Sequence, residues 1–469
     1  MHKTLIKWLV TIGSGFLIYA FPPPIGIAPE AWTLFAVFIA TIVGSIVQPL
    51  TGSAMVLLGV VATVLFGALK PTDALKGYAE PVVWLVLTAF FLSVGMIKTG
   101  LGRRIALQFI RLIGRRTVGL SYALIGTDFV LASMIPSNAA RNGGVILPIA
   151  RSICETYDSR PDDGTAGRLG TYLMSLLYQA DVIICATFIT GQASNIIIAD
   201  LIAKNTDLQI GYLGWFAAAI VPSVLSLIAV PYLVFRMTPP EIKETPEAER
   251  FASEELEKLG GVRRGEWVML AVLIGVVVMW TTKDHLHSLD TAIVAMAGIC
   301  GLLIGKVVDW KDLMGEHNAW SVFIWYGGLV NIAAQLSNTG LTKVFAESMG
   351  GYTSAMGWIA ALAILALVYF YAHYLFASIT AHVLAMFVPF VAVTLTAGAP
   401  AGLAVLLLAY FSNLNAGLTH YGTTPAPIYF GTGYVSLQTW WKIGFAASVV
   451  NIFIWGTVGV AWWKLLGWW

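Results

Sequence analysis

Apolar runs separated by short polar stretches follow one another along almost the whole chain. They fall near 5–21, 30–47, 51–69, 80–98, 117–135, 140–152, 170–203, 212–235, 267–282, 288–305, 317–337, 354–376, 378–397, 401–433 and 439–466. Runs of about 20 residues suit helices that cross a bilayer, whereas a membrane β-barrel shows alternating stretches of about ten. The pattern predicts an all-α polytopic membrane protein. Three runs do not fit a simple crossing. The run at 140–152 is too short to cross alone. The runs at 170–203 and 401–433 are too long for one straight helix, and each has polar, glycine-containing residues in its middle.

Composition narrows the class. Of 469 residues 58% are apolar and 11% charged, against about 25% charged in a soluble domain. With 17 Trp, 23 Phe and a mean hydropathy of +0.79, too little polar surface remains for a water-facing body. A soluble enzyme, a disordered chain and a secreted disulfide scaffold are excluded together. The net charge of +2 gives no basic field for nucleic acid. Cys154, Cys185 and Cys300 lie in or beside apolar runs without metal-ligand spacing, so they are expected to pack. The first 24 residues resemble a signal peptide but lack a small-x-small cleavage site, so an uncleaved first helix is expected.

Lys and Arg set the expected sides. If 117–152 and 354–397 are re-entrant hairpins, one face holds Lys3, Lys7, the cluster from Lys98 to Arg116, Arg151 to Arg168, Arg236 to Arg264, Lys306, Lys311 and Lys442. That is 20 of 27 basic residues; Lys70, Lys76, Lys204, Lys283, Lys343 and Lys464 fall on the other, and Arg141 on neither. The richer face is expected to be cytoplasmic, with the N-terminus inside and the C-terminus outside. The charged stretch 236–266 reads as a solvated cytoplasmic linker with a short amphipathic helix. Around it the chain divides into 1–116 (first scaffold helices), 117–235 (first repeat), 267–353 (scaffold of the second half) and 354–469 (second repeat).

A repeat links the halves. SNAARNGGVILP at 137–148 aligns with SITAHVLAMFVP at 378–389 at a constant offset of 241, pairing Ser137 with Ser378, Arg141 with His382 and Pro148 with Pro389. Downstream, ITGQASN at 189–195 and HYGTTPAP at 420–427 each interrupt an over-long helix, with Gly191 matching Gly422. Corresponding broken helices in two halves point to a secondary transporter. Irregular backbone at membrane depth persists only where it is buried in protein or lines a cavity, and half-helix N-termini favour anions. Two hairpin tips and two breaks could therefore converge on one midplane site. The bland alternative is a set of small-residue helix-packing motifs.

Arg141 lies at a turn between apolar arms, where a cation costs about 2.5–3.5 kcal/mol on insertion scales and usually marks a pathway or a pair. It could serve the site, or an internal ion pair with Asp128 or Asp181. His382 holds the matching place in the second half and could be a ligand group or a neutral core histidine. His373 and His420 lack repeat support and read as structural. One fixed cation, one titratable cation and many neutral donors suit a small dianion. No clustered carboxylates for a metal, no nucleophile–base pair and no phosphate loop are present, so no enzyme activity, cofactor or ATP coupling is expected.

PSNAARNGG, FASITAHV and SNLNAGLTHYGTTPAPIYFGTGY together resemble the divalent anion:sodium symporter family, over nearly the whole chain. The likeness is to the exchanger branch of 2-oxoglutarate/malate, citrate/succinate and tartrate/succinate antiporters. The resemblance implies an inverted repeat, a homodimer, a static scaffold and a moving elevator domain that carries the hairpins and broken helices. It implies sodium-independent exchange of C4–C6 di- and tricarboxylates across the cytoplasmic membrane. The sodium-coupled dicarboxylate symporters are the alternative. The implied substrate-binding residues are Ser137, Asn138, Ala139 and Arg141 at the first tip; Gly191, Gln192, Ser194 and Asn195 at the first break; Ser378, Thr380 and His382 at the second tip; and Gly422, Thr423, Thr424 and Pro425 at the second break. Ala139 and Ile379 depart from the signatures, where Thr and Asn are expected. Arg141 stands where sodium-coupled members carry a small hydroxyl residue, which suggests that built-in positive charge replaces two sodium ions.

Overall fold

The computed structural model describes residues 2–283, 285–341, 344 and 357–469. Lys343 and the first residues of the 354–376 run lie outside them. Helices account for nearly all the regular structure of the described residues, and eight of these are long and apolar enough to cross a membrane. The predicted runs become helices with ends shifted by a few residues. The helical stretch at 101–113 was not expected as such. Leu101–Ile113 is a helix hidden by Arg103, Arg104 and Arg111 in the basic cluster, and its Leu107 and Ile110 are fully buried.

Each over-long run is a broken helix. The first comprises Gly170–Thr187, a tight turn at Ile189–Gly191, and Ala193–Asn205. The second comprises Ala401–Leu414, a turn at Asn415–Leu418, and the short helix Pro425–Phe430 after an irregular stretch. Gly170–Thr187 and Ala401–Leu414 are buried on nearly every side, as expected of helices that are apolar all round. They are joined where Tyr178 Oη donates to Ala416 O (2.6 Å) and Gln179 Nε2 to Gly417 O (3.0 Å). The repeat-mates thus form the innermost pair of the fold.

Each half also has a hairpin. The first runs through Thr117–Ala132, a tip at 133–137, a short helix Asn138–Arg141, a π-bulged turn at 142–146 and Leu147–Thr156. Both of its ends meet the same linker: Thr117 N–H donates to Lys243 O (3.0 Å), and Tyr157 Oη donates to Glu247 (2.6 Å). The segment therefore returns to the face it left. The second hairpin comprises Trp358–Ala372, a turn at His373–Leu375 and Ile379–Thr396.

The linker corrects one expectation. Its helix, Pro246–Leu259, is docked rather than free. Ala248, Ala252 and Leu256, spaced by four, are buried against the helix Leu101–Ile113 and the end of the first hairpin. Its carboxylates meet the basic cluster. Arg103 pairs with Glu255, Arg115 with Glu249 (3.1 Å), and Arg104 with Glu266 just beyond the linker helix (2.5 Å). Lys98 pairs with Asp312. On another face of the bundle, Lys204 lies 3.3 Å from Glu80.

Candidate substrate site at the hairpin tips and helix breaks

The two tips are built alike. Ser137 and Ser378 each cap a helix, their hydroxyls accepting from Ala140 N (3.2 Å) and Ala381 N (3.4 Å). Arg141 N–H then donates to Ser137 O (3.0 Å) and His382 N–H to Ser378 O (3.1 Å). The offset of 241 is thus a structural equivalence, with Arg141 and His382 one turn inside each N-terminus. The breaks are also alike. A Cβ on Gly191 would strike the carbonyl oxygen of Cys185, and one on Gly422 would come within 2.6 Å of Ala416 O. In both cases the carbonyl lies six residues back. Only glycine lets each chain fold so closely over the end of its own helix.

Direct bonds tie these parts together. Asn138 Nδ2 donates to Thr423 Oγ1 across the halves (3.3 Å). Gln192 of the first break pairs with Asn413 of the second broken helix. Asn195 Nδ2 donates to Cys185 O and Phe188 O (2.7 and 2.8 Å), which closes the first break on itself. Ser137, Asn138, Gln192, Asn195, Gly422, Thr423 and Pro425 are buried; Ala139, Ser378 and Thr380 are half-buried, and Thr424 is exposed. Among the described residues no side-chain hydrogen bond ties Ser194, Thr380 or Thr424 to another of the four parts.

Arg141 sits where expected, but its guanidinium is not presented as a free cation. Nε donates to Asp128 Oδ1 (2.7 Å) and Nη2 to Asp181 Oδ1 (3.1 Å) and Cys185 Sγ (3.4 Å). Nη1 donates to the main-chain carbonyls of Ile135 (2.8 Å) and Gly191 (2.7 Å). Arginine has five N–H donors, and here there are five acceptors. Both aspartates raised as pair partners are used at once. One nitrogen thus satisfies both the Ile135 and the Gly191 carbonyl. Asn142 adds a bond to Asp181 Oδ1 (2.8 Å) and accepts from Tyr429 Oη of the second half (2.7 Å).

The second half answers with imidazoles. His373 Nε2 lies 2.9 Å from Gly422 O, so that nitrogen carries a proton and donates. In a neutral His373, Nδ1 is then an acceptor, facing His382 Nδ1 at 3.2 Å. His382 Nδ1 therefore donates to His373, and the Asn415 amide, whose Nδ2 stands 3.0 Å from the same nitrogen, has to be turned over to present its oxygen instead. His382 Nε2 is buried and unpartnered among the described residues. The ring lies between Tyr369 and Phe376, at centroid distances of 4.4 and 4.9 Å. With Nδ1 protonated, Nε2 can donate to an anion only when His382 is an imidazolium.

The sequence undervalued His373, which holds the Gly422 carbonyl as Arg141 holds the Gly191 carbonyl. It also passed over Asn142, Asn413, Asn415 and Tyr429, which are single polar residues inside apolar helices. The one available signal was position: each lies within a few residues of a tip or break. His420 is peripheral, its Nδ1 accepting from Trp441 Nε1 (3.2 Å). Cys154 is buried and Cys300 exposed, while Cys185 does more than pack, since it joins the Arg141 network. Among the described residues no group of three or more His, Cys, Asp or Glu is placed to hold a metal ion.

Two halves with matching hairpins and broken helices, buried in an all-helical bundle, define a polytopic membrane transporter. The chain belongs to the divalent anion:sodium symporter family: residues 2–469 match the family described as the sodium:sulfate symporter transmembrane region. It is 42% identical to dicarboxylate transporter 1, chloroplastic, of Arabidopsis thaliana, over 98% of this chain and 83% of that protein. It is 30% identical to the L-tartrate/succinate antiporter of Shigella sonnei, over 97% of each. The fold resembles the crystal structure of the Alcanivorax borkumensis YdaH transporter, with a TM-score of 0.59 at 14% identity, covering 86% of this chain and 89% of that one.

Proposed function

We propose that this transporter is a sodium-independent antiporter that exchanges C4–C6 di- and tricarboxylates across the cytoplasmic membrane. The observation that carries the reading is Arg141 Nη1 between the carbonyls of Ile135 and Gly191. In this reading a protein nitrogen takes up two buried carbonyls that a sodium-coupled carrier could give to an ion. The dicarboxylate is held by neutral donors at the tips and breaks, chiefly Ser137, Asn138, Thr423, Ser378 and Thr380, and by His382 Nε2 at one carboxylate. The names of the dicarboxylate transporter and of the tartrate/succinate antiporter agree with this cargo.

Arg141 acts in this reading as a positioning residue. It fixes the first tip to the first break without contacting the cargo. His382 supplies the conditional charge: an arriving dianion favours its protonated form, and departure returns the buried ring to neutrality. With Arg141 balanced by carboxylates and the ring neutral, the emptied site carries no free charge, and the obligatory character of the exchange rests on the family resemblance. Translocation is by an elevator motion of the hairpins and broken helices within a homodimer, with the basic linker face cytoplasmic. Dimerisation and the elevator rest on the family resemblance.

The test is counterflow in proteoliposomes. Uptake of labelled succinate, malate or 2-oxoglutarate should require unlabelled dicarboxylate inside and be indifferent to sodium. Strong sodium-driven uptake into empty vesicles would establish the symporter alternative instead.

A further inference from the structure

The Arg141 network contains one more carboxylate than its charge can balance. Asp128 and Asp181, 3% and 0% exposed, both place Oδ1 on one guanidinium, at Nε and Nη2. These two nitrogens form the edge that a single carboxylate ordinarily takes in a two-pronged grip. Both Oδ2 atoms are buried without a partner among the described residues. The other groups facing the pair are neutral donors or apolar. Asn142 comes from the first tip, Cys185 from the first broken helix, and Tyr429 of the second half reaches the pair only through Asn142. Tyr178 packs beside Tyr429. His373 and His382 make no contact with either carboxyl among the described residues. Two ionised carboxylates against one cation would leave a net charge of −1 sealed in protein, one turn from the anion-holding tip. Like charges so close do not both ionise readily, and a shared proton is the usual resolution.

The geometry points to a proton-binding site: Asp128 and Asp181 together hold one proton, shared between their carboxyls, so that the triad with Arg141 is neutral. The proton comes from solvent and belongs to the pair rather than to either residue. Losing it places a negative charge beside the dicarboxylate, so the protonated pair binds cargo more tightly and cargo binding retains the proton. The site deepens the proposed exchange by giving it a pH dependence distinct from that of His382.

Infrared difference spectroscopy tests the site without transport. The purified protein at neutral pH should show the carbonyl stretch of a protonated carboxylic acid. The band should vanish in Asp128→Asn and equally in Asp181→Asn, because the remaining aspartate then ionises against Arg141. Absence of the band from folded wild-type protein overturns the inference, as does its survival in both variants. In counterflow above pH 7, where the cargo is fully ionised, wild-type KM should rise up to about tenfold per pH unit once the pair titrates. Each Asn variant, compared with itself, should lose that slope. A slope that persists in both variants and disappears only in His382→Gln assigns the proton to the imidazole and overturns the inference. If wild-type protein shows the band but no dicarboxylate exchange, the proposed function fails while the proton site stands.

Discussion

Replacing Arg141 with alanine separates a structural lock from a cargo contact. The side chain is fully buried, and removing it strips both aspartates of their cation. Breaking a buried pair in this way costs about 3–5 kcal/mol, because a charge is left uncompensated. The Ile135 and Gly191 carbonyls lose a donor as well, at about 1–3 kcal/mol for each group left unsatisfied. Taking the ion network alone at its lower bound, the equilibrium between folded and unfolded protein shifts more than about a hundredfold. Arg141→Lys should fare little better. An ammonium is a compact point charge with three donors and cannot reach Asp128, Asp181, Ile135 and Gly191 together.

The assay is thermal unfolding in detergent, followed by tryptophan fluorescence, beside counterflow. Arg141→Ala should lower the midpoint clearly and abolish exchange. Adding Asp128→Asn and Asp181→Asn to it should recover much of the midpoint, since no charge is then left unpaired. Exchange should stay low in that triple variant, because nothing ties the tip to the Gly191 carbonyl. A variant that keeps wild-type stability and loses only dicarboxylate affinity would refute this reasoning, since that is how a free cation contacting cargo behaves.

The breaks supply a second expectation. Gly191→Ala and Gly422→Ala each drive a methyl against a carbonyl oxygen and should cost about 1–3 kcal/mol by overpacking, read as a lowered midpoint and weakened exchange; wild-type behaviour of both would sink the close-approach argument. Thr423→Val removes the acceptor of Asn138 Nδ2 and should raise KM in counterflow while costing only about 1 kcal/mol of stability; an unchanged KM would remove Asn138 and Thr423 from the cargo contacts. On the linker, the Tyr157 hydroxyl and then Glu247's own N–H hold the Glu247 carboxyl below its ordinary value, and Lys258 does the same for Glu255. A depressed folded value means that the stabilisation is present above the ordinary glutamate range of about 4.3 and is lost as pH falls through the depressed value. Amide exchange across 247–256 should therefore keep its protection from about pH 8 to pH 5 and lose it only in stronger acid; undocking between pH 7 and 5 would contradict the assignment.

Much of the arrangement was legible in the sequence because a duplicated fold writes its geometry twice. The offset between Ser137 and Ser378 predicted two equivalent tips, and the match of Gly191 with Gly422 predicted two equivalent helix breaks. What stayed hidden depended on distance in space. Asp128 and Asp181 lie 13 and 40 residues from Arg141, and nothing along the chain says that both reach the same guanidinium edge. His373 was read as structural, but its partner stayed hidden because it is a main-chain carbonyl, which no residue pattern displays. The helix Leu101–Ile113 was masked by arginines whose carboxylate partners belong mainly to a linker more than a hundred residues away. Alone, that segment has too many charges to look like an apolar helix; docked, those charges are its adhesive.

The two halves meet the same physical demand with different chemistry, and the difference has a direction. Each break frees a main-chain carbonyl at membrane depth, and such a group must find a donor. Arg141 supplies it to Gly191 and is itself clamped by carboxylates, so its charge stays fixed through any cycle. His373 supplies it to Gly422 while remaining neutral, and the charge decision passes to His382, whose outer nitrogen is unpartnered. In the proposed cycle one half therefore offers an internally balanced frame, and the other a charge that exists only when an anion is there to stabilise it. Were both halves built on clamped arginines, an empty and a loaded carrier would differ only by the dianion, and binding would have to offset its whole charge. With one conditional imidazole, arrival of the anion and of a proton that offsets half its charge are a single event, so in the proposed cycle a dianion adds a net charge of −1 rather than −2 to the site.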